Sequence, residues 1–481
     1  MNSPFQSVML PLICDENTDF LPLFEDLVKE SKKLGVSRFF SATFETNYID
    51  PLALLEENQK SEKSVCYMEK PSGEFSIACG GFVTNASFCG SNRFQKARNW
   101  SDDLFSQTII CGDHKHAGTG PTLFIAATFE TDNQGGESPP PLQIFLPRWQ
   151  VLRKGGSHFL IANLEISPDS SALLLAKELS KIILMKKGVK YDHQHLPKSK
   201  SIQFGIPTEN FDYKDAVSEA LEIIRSEKLS KIVLARQLSY KTSSELPPFG
   251  VAHSLRERYP DCFTFCLSTP GQGMMVGATP ETLLRSTGSV FETEAIAGSA
   301  PRGPTAGRDA DWGKKLLMQE KEIHEHRLVI DGILRRLKSI GLSNCKEGKS
   351  RLLRLANLQH IRTLVRSNTI HGVHPFEALS ALHPTPAMGG TPRNEALPLV
   401  RHLEKASRGW YSGVTGWIDA RGRGEFVVPI RCGKITSNHL TLYAGAGLVE
   451  GSTPEQEKVE TDWKLQAMLE VITGETIIPD E

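Results

Sequence analysis

Over the first 185 residues, short apolar runs alternate with clusters of turn residues, the pattern of strands joined by loops. FSIACGGFV (75–83), PTLFIAATFE (121–130) and LQIFLPRWQVLRK (142–154) are the predicted strands, and TDNQGGESPPP (131–141) is an exposed loop. SALLLAKELSKIILMKK (171–187) changes to a helical period. The polar stretch 188–203 then marks the candidate boundary between a sheet-rich region, 1–200, and a second region, 205–477. In the second region DYKDAVSEALEIIRSEKL (212–229) predicts a helix leading into the strand KIVLARQLSY (231–240). FTFCLST (263–269), SVFETEAIAG (289–298), WYSGVTGWIDA (410–420), GEFVVPIRCGKIT (424–436) and HLTLYAGAG (439–447) predict further strands. A long helix is predicted from about Asp309 to Leu337, with helical pieces near 351–367 and 395–406. Many strands with hairpin-like turns and intervening helices predict an α+β fold with large antiparallel sheets.

Composition narrows the function classes. A chain of 481 residues, 39% apolar and 23% charged, can bury a large core and has the balance of a soluble globular protein. Lys and Arg number 55 against 56 Asp and Glu, so no overall charge attracts nucleic acid or an anionic membrane. The basic run KKGVKYDHQHLPKSK (186–200) reads as a linker. The nine cysteines are scattered without CxxC pairing, the usage of reduced thiols. The N-terminus has no positive n-region, and no stretch approaches the roughly 18 apolar residues of a spanning helix. A cytoplasmic location is the expectation.

The candidate chemistry is concentrated late in the chain. The turn Ala444-Gly445-Ala446-Gly447 would let backbone amides approach an anion. It precedes Thr453-Pro454-Glu455-Gln456-Glu457, a helix start with a capping threonine, proline at the first position and acids in the first turn. Spacing puts Glu457 and Glu460 on one helical face, with Lys464 nearby. Two carboxylates there can share a hard cation or sit in a solvated helix with an internal ion pair. Lys231 opens an apolar strand with Val233 and Ala235 on its face; it is either a base in a partly desolvated cleft or a strand-edge lysine. Glu281, after a Thr-Pro turn, is either a semi-buried acid or a first-turn glutamate. His324 and His326 are two apart and face different ways, so Glu325 is the better metal ligand in that helix. Carboxylates without cysteine or paired histidine select magnesium over zinc. Arg431, in VVPIRC, can pair bidentately with a substrate carboxylate or form a structural salt bridge. The glycine turn fits neither GxGxxG nor GxxxxGK[ST], which excludes those nucleotide sites.

Eight segments taken in order resemble the chorismate-utilising enzymes, the anthranilate, aminodeoxychorismate, isochorismate and salicylate synthases. They are KIVLAR (231–236), GATPETLL (277–284), AIAGSAPRG (295–303), HEHRLVID (324–331), QHIRT (359–363), HPTPAMGGTP (383–392), GWIDARGRGEFVVPIRC (416–432) and AGAGLVEGSTPEQEKVETDWKL (444–465). Lys231, where anthranilate synthases usually carry glutamine, and His383 within HPTPAMGG point to the isochorismate branch. The resemblance implies an isomerase on a four-layer αββα fold, a single two-lobed unit to which the first 200 residues contribute. It implies chorismate as substrate and Mg²⁺ on Glu325, Glu457 and Glu460. Lys231 is then the base that activates water and Glu281 the acid. Gly298, Ser299, His360, Thr363, Arg431, Gly445, Gly447 and Lys464 match substrate-binding positions. The extended N-terminal region is similar to the menaquinone-pathway form, with siderophore and salicylate pathways as other destinations. A monomer or homodimer is expected. The alternatives are a salicylate synthase, which also eliminates pyruvate, and a non-catalytic chorismate-binding homologue. Arg362 stands where some relatives carry a small residue, and it bears on the pocket only if it points inward.

Overall fold

The computed structural model describes residues 9–10, 18–58, 62, 64–132, 135, 138–185, 202–368 and 372–474. Among these, the strands form one 14-stranded and one 10-stranded sheet. Four hydrophobic clusters give the layering. Met68, Ile77, Phe265 and Cys432 of the larger sheet meet Phe124, Phe145, Trp417 and Val427 of the smaller one in a common core. Phe75 and Trp417 stack across that interface at 5.8 Å. The outer face of the larger sheet is covered by helices Leu21–Leu34, Pro51–Asn58, Ala172–Met185, Pro248–Arg258 and Pro454–Thr473, and that of the smaller by Arg93–Ser106, Glu320–Ser339 and Pro375–Leu382. The result is helix, sheet, sheet, helix, as expected.

Strands from early and late in the chain are interleaved. Val65–Lys70 pairs with Phe263–Ser268 in the larger sheet, and Thr122–Ala127 pairs with Val414–Asp419 in the smaller. Both sheets therefore draw on both sides of the boundary read from the sequence. The basic run 186–200 and most of the 188–203 stretch lie outside the described residues.

Two predicted helices differ. The long helix is broken into Ala306–Leu316 and Glu320–Ser339 by a turn at Leu317–Gln319. Gly313 lets the first piece lie directly on Leu352 and Gln359, a contact that a Cβ would block. The break frees the second piece to turn Glu322, Glu325, His326 and Val329 inward. The segment 351–367 forms strands, Arg351–Arg354 and Leu358–Asn368. Its buried positions Ile361, Thr363, Val365 and Ser367 fall every second residue, a strand period carried largely by β-branched side chains. Cysteines 66, 79, 89, 262, 266, 345 and 432 are free thiols, whereas Cys111 is disulfide-bonded, a departure from an all-reduced set. Among the described residues no helix is long and apolar enough to cross a membrane.

Candidate active site

The site lies at one end of the space between the sheets. Alternation along the strand Lys231–Lys241 is its starting point: Ile232 and Leu234 pack outward under helices Tyr213–Arg225 and Arg393–Glu404, so Lys231 and Val233 face inward. The neighbouring strand His439–Leu448 pairs Gly447 with Val233 and Gly445 with Ala235. A Cβ on Gly447 would collide with the Glu325 carboxylate and the Lys231 side chain, so only glycine lets the backbone pass here. The smaller sheet supplies Gly298, Ser299 and His360. Gly298 occupies a register shift in the strand Val290–Pro301 with φ 77°, and a Cβ there would stand 2.9 Å from Glu322 Oε2.

One pocket gathers Lys231, Glu281, Gly298, Ser299, Glu325, His360, Arg431, Gly445, Gly447, Glu460 and Lys464. Two residues from the sequence reading stand outside its wall. Thr363 is fully buried and shares hydrogen bonds of 2.8 Å with His326 Nε2 and Ser350 Oγ. Glu457 is buried and accepts from Lys321 Nζ at 2.9 Å. His324 is exposed and His326 buried, the divergence expected from their spacing.

Glu281 directly precedes the strand Thr282–Thr287 and follows Thr279, whose Oγ1 accepts the Glu281 amide at 3.2 Å. The Val428 amide donates to the Glu281 carbonyl at 3.1 Å, which fixes the backbone from the other side. The side chain makes no salt bridge among the described residues. Burial, reinforced by Glu294 and opposed by Lys231, Arg431 and Lys464, raises its pKa to about 8. This carboxyl is therefore protonated at neutral pH. Lys231 Nζ donates to Glu325 Oε1 at 2.7 Å, and the lysine is 1% exposed.

Arg431 adopts φ 50°, a left-handed backbone that a non-glycine residue holds only when its surroundings impose it. The geometry delivers a buried guanidinium whose Nη2 donates to His360 Nε2 at 2.9 Å. Nε2 is thus the acceptor, and the proton on Nδ1 faces Gly298 O and Ser299 Oγ, each at 3.1 Å. Burial together with Arg431 and Lys464 lowers His360 to about 3, so it stays neutral. Lys464 Nζ donates to Gly445 O at 2.8 Å and to Glu460 at 2.5 Å.

The helix Pro454–Thr473 begins as its sequence predicts, with the Thr453 hydroxyl accepting the Gln456 amide and Pro454 in the first turn. Its Glu457 joins Glu325 and a further residue, Glu322, as buried acids, with Glu460 half-buried beside them. Burial and then Glu325 raise Glu322 to about 7, with Glu460 and Glu457 adding to the effect. Burial would raise Glu460, but Lys464 and Lys321 outweigh it and hold the carboxyl below its usual range. Burial and Glu460 raise Glu457. Lys321 is pushed up to about 12, because Glu457 outweighs the effect of burial. Lysines thus occupy Glu325, Glu457 and Glu460, and among the described residues no three such ligands already converge on one point. The donor chemistry, carboxylate oxygens with no thiolate, fits a hard divalent cation.

Sequence reasoning missed Glu322, Lys321 and Tyr411. Glu322 could have been found, since it lies three residues before Glu325 on the same helical face. Tyr411 lines the pocket and stacks on Tyr443 at 5.2 Å, and nothing local in WYSG announces it.

Comparison with known proteins places this geometry. The family model described as chorismate binding enzyme matches residues 26–473. The salicylate biosynthesis isochorismate synthase of Pseudomonas aeruginosa is 30% identical over 458 residues, covering 94% of each chain. Isochorismate synthase MenF of Bacillus subtilis is 28% identical over 465 residues, covering 93% of this chain and 96% of that one. The solved structure of MenF, the menaquinone-specific isochorismate synthase from Escherichia coli, superposes with a TM-score of 0.76 at 23% identity, covering 95% of this chain and 100% of that one. Anthranilate synthase component I from Streptococcus pneumoniae shares the fold more distantly, with a TM-score of 0.65 at 19% identity over 83% of this chain and 93% of that one.

Proposed function

The chain belongs to the chorismate-binding enzymes, and from that premise we propose that it is an isochorismate synthase, an isomerase that moves the ring hydroxyl of chorismate from carbon 4 to carbon 2. The observation that carries this reading is the pairing, in one pocket, of an inward lysine with a buried glutamic acid that is protonated at neutral pH. Water addition at carbon 2 with loss of the carbon 4 hydroxyl needs one base and one acid at the same time.

Lys231 takes a proton from the attacking water. Glu281 gives its proton to the departing hydroxyl, which leaves as water. One water enters and one leaves, the ring double bonds shift, and the composition of the substrate is unchanged. Arg431 and Lys464 supply positive charge for the carboxylate of the enolpyruvyl arm, with backbone at Gly445 and Gly447 bordering it. Gly298, Ser299 and neutral His360 border the ring, and His360 holds the Arg431 guanidinium in place. Thr363 acts indirectly, through His326.

Glu325, Glu457, Glu460 and Glu322 are the residues that would hold Mg²⁺. When bound, the ion would neutralise the ring carboxylate and orient it. The free volume of the pocket, about 70 Å³, is small for a ring acid. Binding therefore requires the Lys231 and Lys464 arms to swing aside, which their flexible stems permit.

Incubation of the purified protein with chorismate, with and without Mg²⁺, tests the reading. Isochorismate that forms only with the metal and without pyruvate supports it. Salicylate with pyruvate would move the chain to the salicylate synthases, and unchanged chorismate would leave a binding protein.

A further inference from the structure

A second cavity, of about 940 Å³, lies apart from the active pocket and shares no lining residue with it. It opens between helix Arg93–Ser106, the loop around Phe129, the turn at His383–Pro384 and helix Arg393–Glu404. Its chemistry is a set of arginines without acid partners. Arg93 is buried, and its guanidinium is spent on the carbonyls of Thr128, Glu130 and Pro141. Arg336, behind the turn, donates to the carbonyls of Leu382 at 3.1 Å and Pro384 at 2.6 Å. Arg393, on the cavity wall, makes a single long contact, 3.3 Å from Nη1 to Ala381 O. None of the three forms a salt bridge with a described residue.

Glu130 and Asp132 act on Arg93, whereas no acid acts on Arg336 or Arg393. Burial outweighs Glu130 and Asp132 and lowers Arg93 to about 10, burial and then neighbouring arginines lower Arg336 to about 9, and burial alone lowers Arg393. None of the acids on the wall pairs with Arg393: Glu404 is taken up by Arg408 in a buried pair, one Glu130 oxygen accepts the Arg408 amide, and Asp132 accepts from Thr131 Oγ1. A partly buried guanidinium with free donors is stabilised most by an oxyanion that accepts two parallel hydrogen bonds. The apolar part of the wall is aromatic. Phe94 and Phe129 flank the His383 ring with centroids at 6.3 and 6.4 Å, and Leu397 and Pro398 complete that side.

We propose that this cavity is a second ligand site, taking a small aromatic carboxylate whose carboxylate sits on Arg393 and whose ring lies against Phe94 and Phe129. The site borders the segment that leads to Ala387 and Met388 in the active-pocket wall, so its occupant lies one loop away from the reaction. The assignment stands apart from the reaction proposed above and does not depend on it.

Calorimetric titration with benzoate tests it. The expected result is saturable binding that Arg393→Met weakens at least about tenfold and Arg393→Lys weakens less, with chorismate turnover unchanged in both variants. Arg431→Met, in the active pocket, should leave the benzoate isotherm intact. Absence of saturable binding at millimolar benzoate would overturn the proposal. So would loss of binding in Arg431→Met with none in Arg393→Met, which would put the anion in the active pocket. Inorganic phosphate binding as tightly as benzoate would remove the aromatic wall from the recognition and overturn the ligand class.

Discussion

In the half of the larger sheet farthest from the pocket, the buried acids Asp50 and Glu69 and the half-buried Arg153 and Arg256 form a network in which every charge meets its opposite. Arg256 grips Asp50 with two bonds, 3.0 and 2.8 Å, and reaches Glu69 at 3.2 Å; Arg153 takes the other Glu69 oxygen at 2.7 Å. Tyr67 and Ser76 fill the remaining valences of Glu69. The network ties helix Pro248–Arg258 to the strands beneath it and is closed. The active pocket contains a comparable number of buried charges but leaves them open. Lys231 and Lys464 each hold one carboxylate, and among the described residues Glu281 and Arg431 have no ion-pair partner. Buried charge by itself therefore does not mark a site. Unspent valence facing a cavity is the better marker, since a substrate or ion can complete it.

The sharpest way to break this contrast is at the open end. Lys231→Ala should lower kcat/KM by on the order of a thousandfold or more while chorismate binding, followed by calorimetry, changes little. Wild-type turnover would remove the base assignment. Glu281→Gln should cost about a hundredfold to a thousandfold. The wild-type rate should also fall as pH rises through about 8, because the acid must be protonated, and the variant should lose that fall. The same group gives a stability test. Its pKa is about 8 in the folded protein against 4.5 for a free glutamic acid, so the native state binds more protons between those values. Wild-type stability should then decrease with rising pH across that window and level off above it, relative to Glu281→Gln. A melting-temperature difference independent of pH would contradict the burial argument.

At the closed end the expected signature is reversed. Arg256→Met leaves the buried Asp50 carboxylate without its cation and should destabilise the fold by about 3 kcal/mol in denaturant titration, with kcat unchanged in the folded fraction. A selective loss of kcat would erase the distinction between the networks. Glu457→Ala should raise the magnesium concentration for half-maximal rate by on the order of tenfold, as for a ligand or its immediate support. An unchanged titration would take Glu457 out of the metal site. The smallest effect belongs to Arg362, whose guanidinium pairs with Glu294 and stays out of the pocket wall. Arg362→Ala should change stability by less than about 1 kcal/mol and leave KM within error.

The contrast also explains what the sequence discloses and what it hides. Lys231, Gly447 and the helix start at Thr453 are local facts of strand alternation, backbone approach and capping, and each is visible in a few residues. The partner of Lys231 lies 94 residues away and that of Glu457 lies 136 away, so no window of sequence contains the pairings. Leu358–Asn368 reads as helical because its leucines and arginines also suit a helix, and its pairing with Val290–Pro301 and Arg351–Arg354 fixes it as a strand. The break at Leu317–Gln319 carries no proline or glycine to announce it. Arg362 could be placed only once the same strand pairing set its face.

The account is tested most directly by converting chorismate in ¹⁸O-labelled water and locating the label by mass spectrometry of the product. Lys231-activated water predicts isochorismate with one ¹⁸O, on carbon 2, and no pyruvate. Unlabelled isochorismate would mean that the hydroxyl moves without solvent, and neither Lys231 nor Glu281 could then hold the role assigned to it.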